Sequence, residues 1–90
     1  MTNSPSHSDD QAIAAESAID VLTQAQAILS ERLASLAPTD DVARAAMESK
    51  ARELYALQQS IRVEDERGVR SILDLWGPRV KDEQRFWREI

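Results

Sequence analysis

The residues best suited to chemistry crowd the end of the chain. The segment LDLWGPRVKDEQRFWREI, Leu73 to Ile90, holds both tryptophans, Trp76 and Trp87, and the only phenylalanine, Phe86. Arg79, Lys81, Arg85 and Arg88 are interleaved with them. Large aromatic side chains bury about 150–250 Å² each, and Trp, Tyr and Arg are enriched where proteins bind one another. A guanidinium over an aromatic face adds cation–π attraction. The chemistry expected here is partner binding, carried by Trp76, Arg79, Arg85, Phe86, Trp87 and Arg88. Trp76 also continues an apolar stripe and is expected in the core. Phe86 and Trp87 are adjacent, so on a helix they point about 100° apart. One is expected to face the fold and the other to face a partner.

Catalytic groups are scarce. The chain has no cysteine, two glycines and one histidine, His7, near its start. Nucleophilic triads and phosphate-cradling glycine loops need residues it lacks. Glu64, Asp65 and Glu66 are the only mid-chain acidic cluster. Consecutive helical positions diverge, so the three cannot meet on one metal and read as a solvated charged face. No cofactor and no metal site is expected, and the chain reads as a non-enzyme. An enzyme reading would require a pocket lined by Arg32, Lys50 or Arg52, on the plan of the helical chorismate mutases, which are similar in length. Those enzymes draw basic side chains from several helices, whereas the first helix here offers only Arg32.

Ser60 and Glu64, in SIRVED, resemble the inhibitory helix of antitoxins that block Fic-type nucleotidyl transferases. That helix has Ser or Thr followed four residues later by Glu. The resemblance would pair Glu64 with an arginine that otherwise grips a nucleotide phosphate. It covers six residues, and Asp65 stands where the family has Gly or Asn. Ser49 and Glu53, in SKARE, match the first part equally well.

Charge narrows the partners further. Sixteen acidic side chains against eleven basic ones give a net charge of −5. Before residue 42, seven carboxylates face a single basic side chain, Arg32, and the remainder is close to neutral. Phosphate binding relies on clustered Lys and Arg without interleaved acids. Nucleic acid is thus an unfavoured partner. A nucleic-acid-associated or antitoxin-like regulator would have to gather Arg62, Arg67, Arg70, Arg79, Lys81, Arg85 and Arg88 on one side of a dimer.

These residues must be positioned by helices. Ninety residues allow one domain with a marginal core, and without cysteine no disulfide can reinforce it. Residues 1–9 are polar and read as a disordered tail. From Asp10, apolar residues recur at three- and four-residue steps (Ala14, Ala18, Val21, Leu22, Ala25, Ile28, Leu29, Leu33, Leu36), which predicts a helix over 10–37. Pro38 ends it, and Thr39 or Asp40 can cap the next. Val42, Met47, Leu54 and Ile61 lie in phase with Ile72 and Trp76, which predicts one helix over 40–76, continuous through Gly68 in preference to a kink there. Gly77 and Pro78 read as its stop, and 78–90 as a last short helix.

The expected fold is all-α: an antiparallel hairpin of two long helices with a short C-terminal helix. The narrow alanine stripe favours a homo-oligomer, most simply a dimeric bundle. The start shows no signal-peptide pattern and no segment approaches a membrane span, so a soluble, cytoplasmic protein is expected. The function expected is a non-catalytic protein–protein interaction module: an adaptor, regulator or inhibitor of a larger protein.

Overall fold

The computed structural model describes residues 6–90 and is all-helical, with no strand among the described residues. Four helices follow in order: α1 (Ser6–Ser35), α2 (Asp41–Gln59), α3 (Glu66–Lys81) and α4 (Glu83–Glu89). Of the expected N-terminal tail, residues 1–5 lie outside the described residues, while 6–9 begin α1.

α1 is the spine, 30 residues long. Its buried positions are Ala15, Ala18, Leu22, Ala25 and Leu29. Steps of three and four alternate along this row, the spacing that keeps one seam facing a neighbouring helix. Alanine at three of the five lets backbones approach closely. It also means that each step buries little area, so the larger side chains must come from the facing helices.

α2 begins at Asp40, whose carboxylate accepts the N–H of Ala43 (3.4 Å), as a capping aspartate should. It returns along α1 and buries Leu54. Its Gln58 amide donates to Thr23 Oγ1 (2.8 Å) and to the Ile19 carbonyl (3.2 Å), and its Oε1 accepts from Gln26 (2.9 Å).

The predicted continuous helix over 40–76 is corrected by the structure. α2 ends at Gln59, and residues 60–65 form a turn before α3. Two local devices make the break. Ser60 Oγ turns back to bond the Leu57 carbonyl (2.6 Å). Asp65 then caps α3, accepting the Gly68 N–H at 3.1 Å, with Glu66 at the positive end of the helix dipole. The acidic trio Glu64–Glu66 is therefore mostly a helix start. Ile61 and Ile72 do share the core side, but from either side of a break.

α3 runs back along α1, from Gln11, whose amide donates to Glu66 (3.0 Å), toward α1's far end. It buries Val69, Ile72 and Trp76 against the seam. A second correction concerns Gly77 and Pro78: α3 passes through both to Lys81, and the last helix is α4 rather than 78–90. Proline usually excludes helical backbone from the residue before it, through a clash with that residue's Cβ. Glycine has no Cβ, and Gly77 does not take a positive φ. The dipeptide thus lets the helix continue for one more turn. α2 and α3 both pack on α1 but hardly touch each other.

Candidate functional site

The six nominated binding residues gather at one end of α3, where α4 folds back. The fold-back takes one residue. Asp82, with φ −136° and ψ 99°, is at once the last residue of α3's cap and the N-cap of α4. Its N–H donates to the Arg79 carbonyl (3.3 Å), and its carboxylate accepts the Arg85 N–H (3.3 Å). The extended backbone at Asp82 reverses the chain.

That reversal seats Phe86, which is fully buried. Its ring centroid lies 6.1 Å from that of Trp76 and 5.1 Å from that of Trp87, the second pair edge to face. Such tilted pairs suit the aromatic quadrupole and add about 0.5–1.5 kcal/mol to area burial. Trp76 is buried as well, as its place in the stripe implied. Trp87 is half-buried and packed against the core.

The arginines complete the cluster. Arg32, from α1, stacks over the Trp87 ring with Cζ 4.2 Å from its centroid. Arg79 lies over Trp76 at 4.8 Å. Its Nε also donates to Glu89 Oε1 (3.1 Å), while Arg85 Nε donates to Glu89 Oε2 (2.9 Å). The hydrogen bond from Arg79, and then that from Arg85, holds the Glu89 carboxyl below its ordinary pKa of 4.5. Glu89 thus clamps α4 to α3. Trp87 Nε1 points to Glu83 Oε2 at 3.4 Å.

Of the nominated residues, Trp76 and Phe86 are interior, Arg79 and Arg85 are engaged by Glu89, Trp87 carries Arg32, and Arg88 is exposed. Two participants were not nominated, Arg32 as a binding residue and Glu89. Glu89 could have been found from its four-residue spacing to Arg85, which pairs side chains on one helical face. Arg32 had no local signal, because it approaches from a helix more than fifty residues away in the chain.

The other candidates have different partners. Lys50 pairs with Glu53 (3.2 Å), and Arg32 lies on Trp87, so two of the basic residues named for an enzyme reading are already engaged. Ser60 ends α2 and Glu64 sits in the turn, so the antitoxin-like pair does not share a helix. Among the described residues, no group of His, Cys, Asp and Glu is placed to hold a metal ion, and no polar or charged side chain is buried.

Two surface grooves flank α3. One of about 260 Å³ lies against α1, with Asp10, Glu66, Arg70 and Asp74 at its edge. The other, about 400 Å³, opens between α2 and α3 over Leu57, Ile61, Ile72 and Trp76, with Leu75 half exposed on its lip. No described helix is long and apolar enough to cross a membrane. No protein family, curated protein or solved structure matches the chain.

Proposed function

We propose that the protein is a non-catalytic helical interaction module, an adaptor, regulator or inhibitor of a larger protein, whose recognition element is the aromatic and basic C-terminal segment. One observation carries this reading. α4 is a short helix bound through side chains to an acceptor made by α1 and α3, and it is joined to them by a single residue. The chain holds a recognition helix and its receptor in one molecule. The chemistry of the pair is legible: Phe86 enters the apolar seat beside Trp76, Trp87 meets Arg32, and Glu89 meets Arg79.

Seven residues are too few for a helix to persist alone in water, so α4 owes its structure to the acceptor. Terminal elements of this kind open locally at low free-energy cost, which would expose the seat to an external helix of the same chemistry. The reading includes the homodimer that the alanine-rich seam suggests and a protein partner presenting an aromatic helix with an acid one turn on.

The test is a peptide of residues 82–90 added to the full-length Glu89→Arg variant, whose own α4 is repelled from the acceptor by Arg79. Binding, read as a blue shift of the chain's tryptophan emission against a Trp87→Phe peptide, is expected. Wild-type chain, its acceptor already filled, should bind the same peptide at least tenfold more weakly. Equal binding by both chains, or by neither, overturns the reading.

A further inference from the structure

We propose that two copies of this chain exchange α4, each copy's Phe86 and Glu89 filling the seat on the other's α1 and α3. This rests on the reading above, that α4 is a recognition helix, and names its partner as a second copy.

The hinge is the first argument. Asp82 alone separates α3 from α4, and only its extended backbone turns the chain. With helical backbone at Asp82, α3 and α4 would fuse into one helix over 66–89. On a straight helix, ten residues separate their Cα atoms by about 15 Å along the axis. The observed Trp76–Phe86 centroid distance is 6.1 Å. The fused form therefore cannot seat its own Phe86. It projects Phe86 and Glu89 beyond the end of α3 and leaves its own seat open.

Complementarity is the second argument. What fits that open seat is already displayed, because α4 occupies it within the single chain. A second fused copy offers the same helix and the same seat, so both can be satisfied about one two-fold axis. Every contact re-forms: Phe86 beside Trp76, Arg32 over Trp87, and Glu89 between Arg79 and Arg85. Only the hinge conformation and the cost of association change. The seams of α1 with α2 and α3 are untouched, since α4 packs chiefly on α3.

The balance follows from the tether. A one-residue link gives the internal site an effective concentration on the order of millimolar, so the closed monomer prevails in dilute solution. Exchange gains as the chain is concentrated or as the hinge is biased toward helix.

The experiment exchanges charges between full-length copies. Arg79→Glu puts a glutamate against Glu89, and Glu89→Arg puts an arginine against Arg79, so each variant alone has a repulsive seat. Mixed one to one, an exchanged heterodimer has opposite charges at both seats. The expected result by sedimentation equilibrium is a heterodimer in the mixture that neither variant matches alone. A mixture that sediments as the sum of its parts overturns exchange. If either variant fails to fold, Asp82→Ala in the otherwise wild-type chain decides. Removing the cap and favouring helix at the hinge should tighten dimerisation at least tenfold, and an unchanged monomer overturns the proposal. Peptide binding without a heterodimer would sink exchange and leave the recognition reading standing; failure of the peptide would sink both.

Discussion

The Asp65 carboxylate accepts the Gly68 N–H at 3.1 Å and occupies the space that a Cβ on Gly68 would need. The cap and the glycine are one device. Removing the carboxylate with Asp65→Ala should cost about 1 kcal/mol, the usual worth of an N-cap. Gly68→Ala alone adds helix propensity, about 1 kcal/mol at most, but displaces the capping carboxylate. Its net effect should lie within about 0.5 kcal/mol of zero. In the Asp65→Ala background, the same change should stabilise by about 0.5–1 kcal/mol. A double-mutant cycle by urea unfolding measures the coupling. Additive effects would show that the two residues act separately.

Gly77 and Pro78 make a second coupled pair, with a reversal of sign. Apart from its chain neighbours, a Cβ on Gly77 meets nothing within 4 Å. Its neighbour is the proline ring, which excludes helical backbone before it when a Cβ is present. Gly77→Ala should therefore destabilise the wild-type chain by roughly 1 kcal/mol. In a Pro78→Ala background it should stabilise by about 0.5–1 kcal/mol, the ordinary gain at an interior helical glycine. Thermal unfolding of the three variants checks this, and the same sign in both backgrounds refutes it.

These two pairs also mark where the sequence was hardest to read. The helical class, the turn at Pro38 and a cap at Thr39 or Asp40 follow from local rules, and the structure has the class, the turn and, of the two caps, Asp40. The seam of α1 was readable because alanine and leucine recur at three- and four-residue steps. The break after Gln59 was hidden by phase: Ile61 and Ile72 are three turns apart on a straight helix, and the two helices happen to preserve that register. The capping role of Asp65 was visible only to a reader who already suspected the break. Gly77–Pro78 misled in the other direction, because a stop signal and a glycine-relieved proline look alike. The fold-back of α4 was not legible, since Asp82 is as compatible with helix as with an extended turn until Phe86 finds its seat.

Phe86 should be the most sensitive residue of the C-terminal cluster. It is fully buried, whereas Trp87 is half-buried. Phe86→Ala should cost about 3–5 kcal/mol, the range for large-to-alanine changes in a core. That is a large share of the stability of a domain this small. Arg32→Ala should cost only about 0.5–1 kcal/mol, the worth of an exposed cation–π pair. Unfolding free energies in that order are expected; a larger loss for Arg32→Ala than for Phe86→Ala would show that the stack, not the seat, holds α4.

The Glu89 clamp predicts a pH dependence confined to α4. Arg79 foremost, with Arg85, holds the Glu89 carboxyl below its ordinary value of 4.5. The folded pKa is thus depressed relative to the unfolded chain. The stabilisation from the clamp is then fully present above about pH 4.5 and is lost as pH falls through the lower folded value. Tryptophan emission followed from about pH 7 to about pH 3 should shift to the red at that point. Helical circular dichroism, dominated by α1, should lag behind it. Glu89→Gln removes the titrating group, so the early red shift should vanish and the emission should report only global unfolding. A red shift that survives Glu89→Gln unchanged would assign the acid sensitivity to another carboxylate.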